Sequence, residues 1–169
     1  MTVTPDITCC FTGHRPSRLP WGSHEEDPRC LRLKKQLDSA ILQAYEQGYR
    51  HFICGMARGA DLYFCEAVLA LRSLHPEITL EAAIPFLGQA DYWPIAERQR
   101  WNALLLQCDF ETVVQHHYSN GCMDRRNRYM VDHSSLLIAV YDGIPSGGTK
   151  NTLLYALKND LQVSILDVE

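Results

Sequence analysis

The sequence predicts an α/β domain in which a mostly parallel sheet is covered by helices on both faces. Short apolar runs alternate with longer stretches whose apolar residues recur every three to four positions, and this alternation continues along the whole chain. Strands that alternate with helices are typical of βαβ units, whose parallel strands are joined by helical crossovers. The chain has 169 residues, so one domain spanning 1–169 is the expected organisation.

Each element follows from its apolar pattern and from the residues that end it. The first strand, 7–12, is a short apolar run that stops at Gly13, and the first helix, 28–48, has a 3.6-residue period and stops at Gly48. The strand at 78–84 alternates apolar with other residues until Pro85. The other predicted strands are 50–54, 111–114, 136–141 and 162–166, and the other predicted helices are 60–71, 95–107, 122–133 and 147–158.

Composition excludes several classes of protein. There are 16 Lys and Arg against 20 Asp and Glu, a net charge of -4, whereas backbone-driven DNA binding usually requires a basic excess. No apolar run approaches the ~20 residues that a membrane helix needs, and the N-terminus lacks the pattern of a secretory signal. Seven cysteines without a CxxC pair indicate buried thiols in a reducing, cytoplasmic setting, and no metal site is expected.

The loop after the first strand is a candidate ligand loop. In parallel α/β sheets, ligands bind beyond the carboxyl ends of the strands. Gly13 permits a tight turn and close backbone approach, Arg15 offers a planar cation for phosphate or carboxylate, and His14 can donate to an anion or act as an acid or base. The alternative is a turn that carries a surface cation.

The loop after the second strand also ends at the start of a helix. Two glycines and two alanines in the segment 55–60 leave space above the helix N-terminus, where free N–H groups and the helix dipole favour an anion. The candidate ligand contacts here are Gly55, Met56, Gly59 and Ala60. Neither the GxGxxG nor the GxxxxGK[ST] fingerprint is present. Asp61 either caps this helix or binds ribose hydroxyls.

A third small-residue loop follows the apolar strand at 136–141. Gly147 and Gly148 open a helix, and Thr149 adds a hydroxyl donor. Three such loops on one edge of a sheet favour a nucleotide-like or phosphate ligand.

The helix that precedes this strand carries three arginines in four positions. At 100° per residue they spread around the helix, so one is expected to face the ligand edge and the others solvent. Arg126, with Asn127 beside it, is the candidate that faces the ligand; a fully solvated charged face is the alternative.

These segments together resemble the SLOG superfamily, which includes the DprA/Smf proteins and the LOG phosphoribohydrolases, and most nearly its YpsA-type branch. The matching stretches are 12–16, 55–61, 126–127, 132–142 and 147–149, in order along the chain. The resemblance implies a Rossmann-like three-layer sandwich, a homodimer, and a nucleotide or ADP-ribose-like ligand.

One departure from the LOG pattern bears on activity. LOG enzymes carry an arginine, which Arg126 matches, and a glutamate after the glycine-rich loop that is implicated in cleaving an N-glycosidic bond. The glutamate position here holds Thr152. A threonine hydroxyl supplies neither the negative charge nor the base, so LOG-type hydrolysis by the same residues is not expected.

Three functions remain open at this stage. The first is binding or sensing of a nucleotide, with no certain cofactor. The second is hydrolysis or transfer at a ribose-linked bond, for which His14, Asp61 and Glu66 are the acid–base candidates. The third is single-stranded nucleic-acid binding through the 125–129 segment, which the acidic balance disfavours. The segment 16–27, which contains Trp21, either closes over a ligand or packs on the surface.

Overall fold

The protein is built around one sheet in the computed structural model, which describes residues 2–168. All of the strand pairs are parallel, and the predicted α/β sandwich is confirmed. The strands are β1 (Thr8–Thr12), β2 (His51–Cys54), β3 (Thr79–Ile84), β4 (Phe110–Val113), β5 (Leu136–Val140) and β6 (Gln162–Leu166).

Helices cover both faces of this sheet. One face packs against the first three helices and the other against the last two, so the molecule has three layers. Each predicted helix is present, with ends that lie within three residues of the expected ones. The helices are α1 (Pro28–Glu46), α2 (Ala60–Leu74), α3 (Ile95–Gln107), α4 (Cys122–Asp132) and α5 (Gly148–Lys158).

The strand order is β4-β3-β2-β1-β5-β6. The chain runs outward from β1 to β4, then returns to the other side of β1 and continues outward through β5 to β6. The order therefore reverses between β1 and β5, which pair directly from Cys9 with Leu136 to Thr12 with Ala139. A crevice is expected at this switch point, beyond the carboxyl ends of the two strands.

Alternate residues of β1 enter the two halves of the core. Cys9 and Phe11 pack on the α1–α2 side, and Cys10 packs on the α4–α5 side. Phe11 stacks on Phe64 of α2 at 4.6 Å between ring centroids, and burial of one such ring stabilises the fold by about 1.5–3 kcal/mol. All seven cysteines are free, and six are buried, as the apolar patterns indicated.

Helix α1 begins and ends where its sequence signals lie. The Asp27 carboxylate accepts a hydrogen bond from the Arg29 N–H at 2.8 Å, and Pro28 occupies the first turn, where its missing N–H costs nothing. Gly48 follows the last turn with φ of 105°, a conformation that glycine adopts without strain.

A buried polar cluster joins the middle strands to α4. The Glu81 carboxylate contacts His51 Nε2 at 2.8 Å and accepts hydrogen bonds from the Thr112 hydroxyl at 2.8 Å and from the Tyr129 hydroxyl. Burial raises the pKa of Glu81, but these hydrogen bonds outweigh it and hold the pKa below the usual 4.5. The cluster therefore satisfies a carboxylate that would otherwise be costly to bury.

Candidate functional site

A cavity of about 360 Å³ opens at the switch point between β1 and β5. Its wall comes from the loop after β1, the loop after β2, helix α4 and the start of α5. The lining residues are Phe11, Thr12, Gly13, His14, Arg15, Ser17, Arg18, Ala57, Asp61, Met123, Arg126, Asn127, Met130, Gly147, Gly148 and Thr149.

Arg126 brings a buried positive charge to this cavity. Only 4% of the residue is exposed; its Nη1 donates to the Gly55 carbonyl oxygen, and its Nε donates to Asn127 Oδ1 at 2.9 Å. Burial lowers the pKa of the guanidinium, and the charge of nearby Asp61 partly opposes this. Within residues 2–168 no carboxylate lies close enough to form an ion pair with it. A buried cation of this kind is stabilised when an anion enters beside it.

Gly55 is required by the position of Arg126. A Cβ atom at residue 55 would lie 2.7 Å from Nη1 and 2.8 Å from Cζ of Arg126. These distances are far below van der Waals contact, so any side chain here would displace the guanidinium from the Gly55 carbonyl. Gly55 therefore positions Arg126, although it is not itself part of the cavity wall.

Asp61 lies at the start of α2 and also lines the cavity. Its Oδ2 accepts a hydrogen bond from the Ala57 N–H at 3.0 Å, which orders the loop before the helix. Burial raises the pKa of this carboxyl, while Arg126, the Ala57 N–H and Arg15 lower it in part. Across the described residues Oδ1 has no hydrogen-bond partner, so it is available to a ligand hydroxyl.

His14 contributes a buried imidazole ring, and one hydrogen bond determines which of its nitrogens carries the proton. Its Nε2 accepts a hydrogen bond from the Asp142 N–H at 3.0 Å, so the proton resides on Nδ1. Burial lowers the pKa of His14, and the Arg18 charge acts in the same direction, whereas Asp142 opposes them. The ring therefore lines the cavity as a neutral group whose Nδ1–H can donate to a ligand.

Arg15 provides a second guanidinium at the cavity wall. The residue is exposed, and no hydrogen bond or ion pair joins its side chain to any other described residue. Arg15 and Arg126 therefore present two guanidinium groups without carboxylate partners, opposed by the single carboxylate of Asp61. The cavity carries an excess of positive charge.

The N-terminus of α5 completes the anion-binding side of the cavity. No side chain caps this helix, whose N-cap is Gly147, so the free N–H groups of its first turn remain available. Thr149 is 5% exposed and lines the cavity. The Thr152 hydroxyl instead donates to the Gly148 carbonyl at 2.9 Å and is absent from the lining set.

Arg18 fastens the loop after β5 across the cavity mouth. Its Nη2 donates to both oxygens of Asp142, at 3.0 and 2.9 Å, and its Nη1 donates to the Ser146 carbonyl at 2.8 Å. Two loops that are far apart in sequence are thereby held together over the start of α5.

The segment 16–27 packs against the body of the protein. Trp21 is 3% exposed, and its Nε1 donates to the Tyr63 hydroxyl at 3.2 Å. Glu25 accepts a hydrogen bond from Arg100 Nη2 at 3.0 Å. Of the two alternatives for this segment, the structure favours packing, and only its first residues reach the cavity.

Comparison with known proteins identifies the family. The model of the YspA SLOG family matches residues 9–169. The chain belongs to this family. The uncharacterized SPbeta prophage-derived protein YoqJ of Bacillus subtilis is 36% identical over 151 residues, covering 80% of this chain and 86% of YoqJ. The UPF0398 protein BH1768 of Halalkalibacterium halodurans is 29% identical over 154 residues, covering 90% and 81%. The UPF0398 protein YpsA of Bacillus subtilis is 24% identical over 146 residues, covering 85% and 80%.

Most of the residues singled out in this SLOG chain from sequence do meet at the cavity. Those that line it are Gly13, His14, Arg15, Asp61, Arg126, Asn127, Gly147, Gly148 and Thr149. Of the three arginines on α4, Arg126 is buried and the other two are exposed, as the helical spacing indicated.

Other predicted residues do not line the SLOG cavity but lie next to the segments that form its wall. Met56 is fully buried in the core, with φ of 59°. A Cβ at Gly59 would lie 2.7 Å from the His14 carbonyl oxygen, which also accepts the Ala60 N–H at 3.1 Å. Gly59 and Ala60 thus hold the loop after β1 against the start of α2.

Glu66 lies away from the SLOG cavity. It accepts a hydrogen bond from Arg100 of α3 and lines a separate surface depression with Tyr63. The structure thus brings His14 and Asp61 together and leaves Glu66 outside. Helical spacing alone places Glu66 more than one turn beyond Asp61, on another side of α2.

Several lining residues were not singled out from sequence. Ser17 and Arg18 follow Arg15 in the same loop, and a second arginine three residues after the first was a usable signal. Met123 precedes Arg126 and Asn127 by three and four positions on α4, a spacing that places all three on neighbouring parts of one helix face.

Two further features of the SLOG chain concern metals and membranes. Among residues 2–168, no three His, Cys, Asp or Glu side chains form a group that could hold a metal ion. No helix in that range has both the length and the apolar character needed to cross a bilayer.

Proposed function

We propose that this chain binds a nucleotide or a nucleotide derivative of the ADP-ribose type, with phosphate in the switch-point cavity. One observation carries the proposal. Arg15 and Arg126, two guanidinium groups without carboxylate partners in the described chain, line the same cavity as the uncapped N-terminus of α5. Guanidinium groups and helix N-termini are both suited to phosphate.

The remaining polar groups suit the sugar part of such a ligand. Asp61 Oδ1 is an available acceptor, and His14 Nδ1–H is an available donor. Ribose hydroxyls both donate and accept hydrogen bonds, so one sugar can use both groups. Membership of the SLOG family supports this assignment.

Titration calorimetry with AMP, ADP, NAD and ADP-ribose tests the proposal. Arg15→Ala is the informative variant, because its exposed side chain has no structural partner to lose. Arg32→Ala, an exposed arginine on α1, is the matched control. A charge-assisted hydrogen bond contributes about 1.5–3 kcal/mol, so we expect Arg15→Ala to weaken binding about 10- to 100-fold and Arg32→Ala to leave it unchanged.

Two results would contradict nucleotide binding at this cavity. One is the absence of heat and of thermal stabilisation with every compound at millimolar concentration. The other is binding that is unaffected by Arg15→Ala and by Arg126→Lys in folded protein.

Hydrolysis of a ribose-linked bond is the second candidate function, and the environment of the Asp61 carboxyl favours it. A buried carboxyl with a raised pKa, next to a guanidinium in a cavity, is a common arrangement for acid–base catalysis. Chromatography of each nucleotide after incubation would detect free base or ribose phosphate. Loss of that product in Asp61→Asn would assign the reaction, whereas intact ligand would support binding alone.

Nucleic-acid binding finds less support in the positions of the α4 arginines. Arg126 is buried, Arg128 is paired with Asp124 at 3.0 Å, and Arg125 donates to Gln115. The arginines therefore do not form one exposed basic surface.

A further inference from the structure

A second cavity of about 480 Å³ adjoins the switch-point cavity. The two share Arg15, Ser17, Ala57 and Met123 in their walls, so they form one continuous crevice. The second cavity extends toward the loop after β3, which lies on the same edge of the sheet.

The two parts of the crevice differ in charge. Arg58 in the wall of the second cavity is paired with Glu97 of α3, with Nε to Oε2 at 2.7 Å and Nη2 to Oε1 at 3.0 Å. Trp93 and Gln89 contribute uncharged surface. Beyond the shared Arg15, the wall changes from the unpaired guanidinium of Arg126 in the first cavity to a neutral aromatic and amide surface in the second. A nucleotide likewise carries negative charge at its phosphate and an uncharged aromatic ring at its base.

Gln89 is positioned by the same carbonyl that holds Arg126. Its Nε2 donates to the Gly55 carbonyl oxygen at 3.1 Å, which fixes the orientation of the amide, because the carbonyl accepts only from the NH₂ group. The residue is 7% exposed, and its Oε1 has no hydrogen-bond donor in the described part of the chain. A buried acceptor without a partner is costly, and a ligand N–H beside Gln89 would satisfy it.

Trp93 offers a rigid ring in the same wall. Its backbone N–H donates to the Ala90 carbonyl at 3.1 Å, and its ring makes an edge contact with Trp101 at 6.4 Å between centroids. The ring is therefore held in place before a ligand arrives. A preorganised aromatic surface is what a nucleobase uses for stacking.

We propose that the second cavity is a nucleobase subsite, which takes a base with an exocyclic amino group by stacking on Trp93 and hydrogen bonding to Gln89 Oε1. This inference rests on the proposed function, since the phosphate of the same ligand occupies the first cavity. The ligand class is then a nucleotide whose base carries an amino group, rather than a sugar phosphate.

The test compares AMP, purine riboside 5′-monophosphate, which lacks the amino group, and ribose 5-phosphate, which lacks the base. Dissociation constants are measured for the wild type, Trp93→Leu and Gln89→Met. Tyr92→Leu is the matched control, because Tyr92 is fully exposed and absent from both cavity walls. Unfolding midpoints establish that each variant is folded.

We expect AMP to bind the wild type about tenfold or more tightly than ribose 5-phosphate, as stacking of one base provides. Trp93→Leu should reduce this ratio by about fivefold or more without changing the affinity for ribose 5-phosphate. Gln89→Met should remove the preference for AMP over purine riboside 5′-monophosphate. AMP, but not ribose 5-phosphate, should also change tryptophan emission, and Trp93→Leu should abolish that change.

Other outcomes separate this inference from the proposed function. Equal affinities for AMP and ribose 5-phosphate, or ratios that Trp93→Leu and Gln89→Met leave unchanged, would overturn the base subsite while phosphate binding stands. Absence of binding by all three compounds would overturn the proposed function together with the subsite.

Discussion

Replacement of Gly55 by alanine tests whether the buried guanidinium of Arg126 depends on the missing side chain. Gly55 does not have a positive φ, so alanine fits its backbone conformation. At such positions Gly→Ala stabilises a protein by about 0.4–1 kcal/mol, because the unfolded chain loses freedom. The new Cβ, however, would lie 2.7 Å from Nη1 of Arg126 and would force the guanidinium off the Gly55 carbonyl.

The expected magnitude follows from these two opposing effects. Loss of a hydrogen bond to a charged group costs about 1.5–3 kcal/mol, which exceeds the gain from the unfolded chain. We therefore expect Gly55→Ala to reduce the free energy of unfolding by about 1–2 kcal/mol. For a chain of this size the unfolding midpoint should fall by about 2–8 °C.

The sign of the effect should reverse when Arg126 is absent. In an Arg126→Ala background the new methyl group has no guanidinium to displace, so Gly55→Ala should stabilise by about 0.4–1 kcal/mol. Gly148→Ala is a matched control, because no atom lies within 4 Å of its added Cβ. Urea unfolding of the four combinations measures the coupling. A cost of the same size with and without Arg126 would refute the reasoning.

The other expectations concern acid stability, the cavity-mouth contact and the segment 16–27. Hydrogen bonds hold the pKa of Glu81 below 4.5, so the stability that its carboxylate contributes should be lost as pH falls below 4.5. Glu81→Gln should therefore reduce the pH dependence of the free energy of unfolding below pH 4.5, as measured by urea unfolding. Burial lowers the pKa of His14 below 6.5, so stability should fall as pH drops through 6.5, His14→Gln should remove that part, and an NMR titration should place its pKa below the ordinary value. Arg18→Ala should cost about 1 kcal/mol and increase amide exchange in 142–147; unchanged exchange would contradict the fastening role. Trp21→Ala should cost about 3–5 kcal/mol, as measured by thermal unfolding; a midpoint shift below about 2 °C would show that the segment is not packed as described.

The elements of the fold were predictable from sequence because their signals are local. The apolar run at 136–140 and the 3.6-residue period of α1 concern neighbouring residues, as do Pro28 and Gly48 at the ends of that helix. Strand order was not predictable in this way. The pairing of β1 with β5 joins segments that are far apart in the chain, and no local pattern specifies it.

The candidate site was predictable in outline and not in its details. The small residues after β1 and after β5 mark the switch point, and they are recognisable in the sequence without knowledge of the strand order. The partners of individual side chains depend on contacts between distant elements. Glu66 and Asp61 look alike in sequence, yet one pairs with Arg100 of α3 and the other with the Ala57 N–H. Gln89 and Trp93 carry no motif and become notable only beside the first cavity.

The central position of β1 has a consequence for how the protein is made. The ribosome releases β1 first, but its second neighbour, β5, follows more than a hundred residues later, and His14 meets Asp142 across a separation of 128 positions. At a synthesis rate of about 5–20 residues per second, the edge of β1 that pairs with β5 stays unpaired for on the order of ten seconds. During synthesis a fully buried strand of the finished protein is thus an exposed edge, and the ligand crevice is completed only as the last quarter of the chain emerges.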